Sequence, residues 1–460
     1  MSQDLIYAIV DAIPFVMLGC LALLLFTGLP VSVVLFGLGT VFCLIGIALG
    51  EMPVPALLTI PAKLSEAVRG SLFYPAVAML LFMGVALEKS GIAHDMLRSV
   101  HLITRRVRAG MIVAVLIIGV VLAPAAGIVG ASVVTISLIA LPAMLRAGYP
   151  AHVATGAVGA AGTVGIILPP AVMLFFLAYQ FQVPFGSMFM ATVVPGGLLI
   201  AFYAIWYMIA APREAGTVDE PGPGSTWGWV WLLTRGLVLP IALITLVLGS
   251  IIMGWATPSQ SGAIGAAGAL VLVVISGRLS WRLVRDLVQT TADLSAMVFL
   301  IIMSAAVFSY PFRYFDGDRA IAGALEALSM GPWETLLLIV GIVFVLGFFI
   351  DWIEITIITL PLFFPVLAGL DFTLHAGPDK SAMLWIAAMM ALVLQTSFLT
   401  PPFGFALFFL KGSAPPGVTL GQIYRGIIPI VAIQLFVIAL VIAFPNIITW
   451  LPMQIYGVPR

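Results

Sequence analysis

An apolar stretch at residues 150–182 is interrupted in its middle by the sequence GTVGIILPP, residues 162–170. A second apolar stretch, at 381–410, is interrupted by TSFLTPPFG, residues 396–404. A Pro-Pro pair removes two backbone N–H donors and clashes with the preceding turn, so a regular helix ends there. Both stretches are therefore predicted to be broken helices, with backbone carbonyls ahead of each Pro-Pro pair that lose their helical partners.

The composition places these breaks in a lipid bilayer. Of the 460 residues, 62% are hydrophobic and only 8% are charged, against about 25% charged residues in soluble domains. The 19 basic and 19 acidic residues cancel, and nothing in them indicates a nucleic-acid partner. A helix needs about 20 apolar residues to cross the hydrocarbon core. We predict spans at 5–27, 31–50, 72–90, 150–182, 187–211, 229–253, 258–276, 287–309, 381–410 and 427–450.

Two further apolar regions, 109–146 and 333–370, do not fit as simple spans. At about 38 residues each, they are too long for one membrane helix and short for two complete spans with a loop. We predict a re-entrant hairpin in each region. Such irregular backbone is tolerated at membrane depth only where protein or a water-filled cavity surrounds it.

The positive charges give an orientation, because Lys and Arg accumulate in cytoplasmic loops. With the N-terminus outside and two hairpins, 13 of the 19 basic residues fall inside. The other six fall outside: Lys63, Arg69, Arg313, Arg319, Lys380 and Arg460.

The same orientation predicts two inverted repeats. Residues 1–211 and 229–460 each contain spans, a hairpin and a broken helix, and a cytoplasmic linker at 212–228 joins them. The sequence IALP at 139–142 also parallels ITLP at 358–361. The predicted fold is an all-α polytopic membrane protein with two inverted-topology repeats, two re-entrant hairpins and two broken helices.

Discontinuous helices at matching positions of inverted repeats indicate the midplane substrate site of a secondary transporter. Freed carbonyls and nearby hydroxyls are hard oxygen ligands, and half-helix ends suit a small cation or a carboxylate. This reasoning selects candidate Na⁺ or substrate contacts at Thr163, Gly165, Thr396, Ser397 and Thr400. The alternative is that each Pro-Pro pair only kinks a packed helix.

The hairpin tips supply further candidates. Gly130 and Ser132 would let the backbone approach an ion, or would only form the turn of a hairpin. Asp351 and Glu354 lie inside an apolar region, where an ionisable residue is functional by default, although Asp351 could also be a helix cap. Glu88 is predicted to form an interfacial pair with Lys89.

We assign these candidates to two groups. Predicted substrate contacts are Ser132, Gly165, Asp351 and Ser397. Predicted Na⁺ contacts are Gly130, Ser132, Thr163, Thr396 and Thr400.

Enzymatic functions fit the sequence poorly. An intramembrane serine nucleophile at Ser132 would need a base, but the histidines fall in loops or near span ends. There is no nucleotide-binding loop of the P-loop type. A channel is the stronger competitor, yet hairpins in inverted halves are typical of alternating access.

Several motifs resemble those of one transporter family. The runs 130–135, 142–149 and 162–170 resemble the first half of the large membrane subunit of TRAP (tripartite ATP-independent periplasmic) transporters. The second half resembles that subunit at Trp255-Ala256-Thr257-Pro258, at 400–404, at Phe444-Pro445 and at 450–452. Departures from the family pattern are Ala131, Ser397 and Ser259-Gln260.

The resemblance implies a Na⁺-driven, elevator-type importer in a bacterial inner membrane, and the outside termini predicted from the charge bias would then face the periplasm. It implies a periplasmic solute-binding protein and a small four-helix membrane subunit as partners. Its substrates would be organic acids, with Na⁺ as coupling ion and no permanently bound cofactor. Residues 91–108 would form a cytoplasmic arm. The alternative is a stand-alone Na⁺/carboxylate symporter of the same architecture, which would need no binding protein.

Overall fold

The computed structural model describes residues 3–69, 74–104, 109–126, 129–212 and 222–457. Over these ranges the protein is helical, without strands. Among the described residues, nine continuous helical segments are long and apolar enough to cross a membrane, or up to eleven spans if two bent helix pairs each count as one. Two of the nine, 226–252 and 352–369, run through a π-helical turn. The predicted class, an all-α polytopic membrane protein, is confirmed, while the inverted repeats and the re-entrant geometry stay predictions.

The helices up to residue 212 are α1 (Gln3–Leu25), α2 (Val31–Ala48), α3 (Pro55–Leu58), α4 (Ile60–Arg69), α5 (Tyr74–Lys89), α6 (Ile92–Thr104), α7 (Gly110–Ala126), α8 (Val129–Arg146), α9 (Ala151–Val164), α10 (Val172–Gln180) and α11 (Phe185–Ala210). A short 3₁₀ turn, Gly165–Ile167, follows α9. The predicted arm at 91–108 begins with α6, which is bent by 61° from α5, whereas residues 105–108 lie outside the described residues.

The helices after residue 222 are α12 (Thr226–Leu233), α13 (Leu239–Ile252), α14 (Pro258–Ile275), α15 (Trp281–Tyr314), α16 (Gly317–Ala327), α17 (Pro332–Leu346), α18 (Trp352–Glu354), α19 (Leu360–Gly369), α20 (Thr373–Ala376), α21 (Asp379–Ser397), α22 (Phe405–Ser413), α23 (Leu420–Ala443) and α24 (Asn446–Tyr456). Two π-helical turns, Thr234–Val238 and Ile355–Thr359, lie within this part. Most of the predicted linker, residues 213–221, lies outside the described residues.

Local capping chemistry sets several helix ends. The Thr419 side chain accepts from the Gln422 N–H, and the Gln422 side chain accepts from the Thr419 N–H, so α23 begins well before the predicted residue 427. It ends at Ala443, and α24 begins after Pro445. The predicted span 427–450 is therefore two helices, because a proline cannot supply the N–H that would continue α23.

The two predicted hairpin regions each contain two main helices. α7 has 17 residues and α8 has 18, and residues 127 and 128 between them lie outside the described residues. The second region contains α17, then α18 to α19 joined by a π-helical turn. An 18-residue helix is about 27 Å long, close to the roughly 30 Å of the hydrocarbon core.

The chain divides into two compact units. The first comprises Met1–Tyr74, Asp293–Val343 and Trp352–Asp371, and the second comprises Pro75–Ala292, Phe344–Asp351 and Phe372–Arg460. The first unit is built on a core of apolar side chains from α1, α2, α15, α16 and α19, including Met17, Leu35 and Phe308. Gly39 lets α2 approach α15 closely, because a Cβ there would lie 2.6 Å from the Val307 carbonyl oxygen.

The second unit is built around two buried helices, α9 and α21. α9 is buried from Val153 to Val164, and α21 is buried along nearly its whole length. Small residues allow this packing: a Cβ at Gly119 would lie 2.2 Å from the Ala161 oxygen, and one at Gly156 would lie 2.5 Å from the Gly426 oxygen. Both helices lead directly into the Pro-Pro breaks, so the first break and the start of the second lie inside protein, where irregular backbone is tolerated.

Candidate functional site

The first break consists of a 3₁₀ turn followed by the Pro-Pro pair. The Leu168 N–H donates to the Gly165 carbonyl at 3.1 Å, and the Ala171 N–H donates to the Leu168 carbonyl at 3.1 Å. Pro169 and Pro170 have no N–H, so the carbonyls four residues earlier lose their α-helical partners. The helical axis bends by 44° between the segments Ala151–Ile167 and Val172–Gln180. Every residue from 162 to 170 is buried.

The second break shares the bond before its Pro-Pro pair and differs in the bond after it. The Thr400 N–H donates to the Ser397 carbonyl at 3.2 Å, and the Gly404 N–H donates to the Thr400 carbonyl at 3.0 Å. The Phe398 carbonyl accepts from the Ala406 N–H at 3.0 Å, which ties the start of α22 to the end of α21. The Pro169-Pro170 and Pro401-Pro402 peptide bonds are both cis.

Four of the predicted hydroxyl ligands each donate to a backbone carbonyl three or four residues earlier. The pairs are Thr163 to Gly159 O (3.0 Å), Thr396 to Leu392 O (2.8 Å), Ser397 to Leu394 O (2.7 Å) and Thr400 to Thr396 O (2.8 Å). A hydroxyl that donates its proton keeps oxygen lone pairs that can accept a further bond or bind a cation. Thr163, Thr396 and Ser397 are buried, and Thr400 is half-buried.

The start of α8, the first predicted hairpin tip, packs against both broken helices. Ser132 is buried, and its neighbour Val133 contacts Gly162, where a Cβ would lie 2.6 Å from Val133 Cγ2. A Cβ at Gly130 would lie 2.8 Å from the Phe409 ring on α22. The structure therefore brings the predicted tip residues to the first break and to the helix that follows the second break.

The second predicted tip is divided between the compact units. Residues 344–351 belong to the second unit, where the Phe349 and Phe403 rings lie 5.2 Å apart between centroids. Asp351 is buried and directly precedes α18. Glu354 belongs to the first unit. Of the two acids predicted at this tip, only Asp351 therefore lies in the unit that contains the helix breaks.

The sequence alone did not predict the partner of Glu88. The Glu88 carboxylate, at the end of α5, accepts a hydrogen bond from the Thr135 hydroxyl of α8. Lys89 instead forms an ion pair with Asp286 at 2.8 Å and donates to Thr290. The charge of Lys89 still acts on the neighbouring Glu88 carboxylate, but the two side chains bond to different helices, because adjacent helical residues point in different directions.

A polar core beside the second break was also missed. Gln395, directly before Thr396, is completely buried, and the Tyr203 hydroxyl of α11 faces the amides of Gln395 and Gln434. The distances and angles among these side chains fall short of full hydrogen-bond geometry. A glutamine flanking a hydroxyl-rich break was the one signal in the sequence that could have indicated this cluster.

Two solved structures of transport proteins have a similar fold. The transporter YdaH of Alcanivorax borkumensis has a similar structure, with a TM-score of 0.58 at 17% identity over 89% of this chain and 97% of that one. MtrF of Neisseria gonorrhoeae, described as an antimetabolite efflux pump, superposes with a TM-score of 0.52 at 15% identity, over 85% of this chain and 83% of that one. Likeness at these identities concerns the fold alone.

Sequence comparison identifies the family. The family described as "Tripartite ATP-independent periplasmic transporter, DctM component" matches residues 18–447. The chain belongs to this family, which confirms the resemblance seen in the motifs and makes the protein a transporter subunit rather than an enzyme.

Two relatives show the range of the family. The C4-dicarboxylate TRAP transporter large permease DctM of Pseudomonas aeruginosa is 26% identical over 380 residues, covering 82% of this chain and 85% of that protein. The isethionate TRAP transporter permease DctMQ of Oleidesulfovibrio alaskensis is 26% identical over 444 residues, covering 95% of this chain and 66% of that protein.

Proposed function

We propose that this large TRAP permease imports a small organic acid, driven by the Na⁺ gradient through elevator-type alternating access. The observation that carries the proposal is the pair of helix breaks that follow two buried helices within one compact unit, each preceded by oxygen-bearing groups. The relatives named for C4-dicarboxylate and isethionate transport support a small organic anion as the substrate class.

The Na⁺ ligands follow from oxygen chemistry. Near the first break, Ser132, Thr163 and the carbonyl of Gly130 would bind one ion together with the freed carbonyls of residues 166 and 167. Near the second break, Thr396 and Thr400 would bind another. Hydroxyl and carbonyl oxygens suit a hard cation, and the C-terminal ends of α9 and α21 add negative partial charge to both places.

The substrate contacts follow from the opposite helix ends. α10 begins at Val172 and α22 begins at Phe405, and the first N–H groups of a helix attract an anion. The bound acid would be surrounded by Ser132, Gly165, Asp351 and Ser397. The Asp351 carboxylate would accept a hydrogen bond from a donor group of the substrate. The carboxylate of the substrate would then face the half-helix N-termini rather than Asp351.

The remaining parts of the proposal concern partners and placement. A periplasmic solute-binding protein would deliver the acid, and a small four-helix subunit would sit beside this chain in a bacterial inner membrane. Both termini would face the periplasm, and the predicted halves 1–211 and 229–460 would be the two inverted repeats. Family membership supports these partners.

The decisive test is Na⁺-dependent uptake in proteoliposomes that contain this chain, the small subunit and the binding protein. Thr163→Val and Thr400→Val each remove a hydroxyl ligand, so the Na⁺ concentration for half-maximal uptake should rise about fivefold, or about 1 kcal/mol. The control is Thr245→Val, the same change at an exposed position of α13. Unchanged Na⁺ dependence in both test variants would contradict the assignment.

A second arm of the same experiment addresses the partner. Uptake should disappear when the solute-binding protein is left out. If uptake persists without it, the chain is a stand-alone Na⁺/carboxylate symporter, and the tripartite proposal fails.

A further inference from the structure

Four polar side chains are buried together where α11, α21 and α23 pack against one another. Tyr203 and Tyr207 come from α11, Gln395 comes from α21 and Gln434 comes from α23. Each is at most 1% exposed, and the three helices contact one another within the second compact unit. We call these four residues the polar cluster, and the proposed function gives none of them a role.

The groups of the polar cluster have one another as hydrogen-bonding neighbours. The Tyr203 hydroxyl faces the amides of Gln395 and Gln434, although the geometry of these contacts falls short of full hydrogen bonds. A buried amide or hydroxyl that makes no hydrogen bond costs about 1–3 kcal/mol. Small rotations of the amides, or one bridging water, complete the bonds at little cost, and in either case the side chains hold one another in place.

Gln395 lies in the last turn of α21, directly before the hydroxyls of the second break. The Thr396 hydroxyl donates to the Leu392 carbonyl at 2.8 Å, and the Thr396 carbonyl accepts from the Thr400 hydroxyl at 2.8 Å. Both threonine hydroxyls are therefore anchored to this one turn. The Pro-Pro pair removes the N–H groups that would continue α21, so side-chain contacts such as that of Gln395 set the orientation of the turn.

The polar cluster also reaches the first broken helix. Tyr207 follows Tyr203 by four residues, which places both on the same face of α11. The Tyr207 hydroxyl lies against α9, because a Cβ at Gly156 would lie 2.9 Å from Tyr207 Oη. One face of α11 thus contacts α9 through Tyr207 and faces the Gln395 amide of α21 through Tyr203, so it holds both broken helices.

We propose that Gln395 is a positioning residue for the Na⁺ site at the second break. Its amide, held by Tyr203 and Gln434, fixes the orientation of the turn that carries Thr396. Gln395 does not bind the ion itself, because consecutive helical residues point about 100° apart and its amide faces α11. This inference rests on the proposed function, in which Thr396 and Thr400 bind Na⁺.

The test is Na⁺-dependent uptake in proteoliposomes that contain this chain, the small subunit and the binding protein. Gln395→Met removes the amide but keeps the length of the side chain, and Tyr203→Phe removes only the facing hydroxyl. Each should raise the Na⁺ concentration for half-maximal uptake about threefold, with little change in the maximal rate per folded transporter. Because both changes break the same contact, the double variant should also shift about threefold rather than about ninefold.

The control is a buried hydrogen bond elsewhere in the same unit. The hydroxyls of Ser250 in α13 and Ser261 in α14 lie 2.8 Å apart and are buried. Ser250→Ala should lower the midpoint of thermal unfolding without changing the Na⁺ concentration for half-maximal uptake, which is the behaviour of a purely structural residue. If Gln395→Met does not fold, Gln434→Met replaces it, because it removes the other amide that faces Tyr203, and the same threefold shift is expected.

Three results would overturn the positioning role: an unchanged Na⁺ requirement in folded Gln395→Met and Tyr203→Phe, effects that multiply in the double variant, or an equal shift in Ser250→Ala. The wild-type measurement separates this inference from the proposed function. If wild-type uptake does not depend on Na⁺, the proposed function fails and the positioning role fails with it. If wild-type uptake depends on Na⁺ and the variants match it, only the positioning role is wrong.

Discussion

The two helix breaks share a backbone arrangement but differ in side chains. When they are matched at their Pro-Pro pairs, Gly165 corresponds to Ser397 and Leu168 corresponds to Thr400. In both breaks the N–H of the residue before the pair donates to the carbonyl three residues earlier, at 3.1 Å in the first and 3.2 Å in the second. The prolines therefore determine the backbone in both places.

The difference lies in chemistry and exposure. The first break has Val164, Gly165 and Leu168 where the second has Thr396, Ser397 and Thr400. The first is completely buried, whereas Phe403 in the second is 48% exposed. With a similar backbone arrangement, the first break therefore offers mainly backbone oxygens as ligands, and the second adds a cluster of side-chain hydroxyls.

The largest effect should come from making the second break resemble the first. The triple change Thr396→Val, Ser397→Gly and Thr400→Leu preserves the backbone bonds but removes three hydroxyls, each worth about 1 kcal/mol in a bound complex. Na⁺-driven uptake should fall on the order of 100-fold, while thermal unfolding changes little. Near-normal uptake by a folded triple variant would show that these hydroxyls are not ligands.

A smaller effect should come from the packing of the first break. Gly162 contacts Val133 so closely that a Cβ at residue 162 would lie 3.0 Å from the Val133 Cα. The matching position of the second break holds a large side chain, Leu394. Gly162→Ala should destabilise the protein by about 2 kcal/mol through overpacking, measured as a lower midpoint of thermal unfolding in detergent.

The matched control for that change is Gly197→Ala in α11, where a Cβ would meet nothing within 4 Å. Its unfolding midpoint should equal or slightly exceed that of the wild type, because Ala favours a helix over Gly. If the two alanine variants unfold at the same temperature, the first break is less tightly packed than the structure indicates.

The smallest effect concerns the two predicted hairpin tips. When the two halves are aligned at IALP and ITLP, Ser132 corresponds to Asp351. Asp351→Ser keeps a side chain that can cap α18, while Asp351→Ala removes the cap at a cost of about 1 kcal/mol. If the carboxylate contacts the substrate as proposed, Asp351→Ser should unfold like the wild type but lose uptake severalfold. Full uptake with serine would make Asp351 a helix cap alone.

Much of the helical pattern could be predicted from local sequence. The start of α14 at Pro258 follows from a capping box between Thr257 and Gln260, and the breaks follow from the Pro-Pro pairs. These features depend on residues a few positions apart, whose backbone bonds form in nearly any surrounding. The family motifs were recognisable for the same reason, since each is a short contiguous run.

The contacts between distant residues could not be predicted in this way. Thr135 donates to Glu88 across 47 positions, and Arg278 reaches Asp95 across 183. Gln395 lies beside Tyr203 and Gln434 only because α11, α21 and α23 pack together. The sequence specified a membrane bundle with two broken helices, because apolar runs and prolines act locally. Which charges pair and which polar groups meet depends on how the helices pack, and packing is set by many side chains at once.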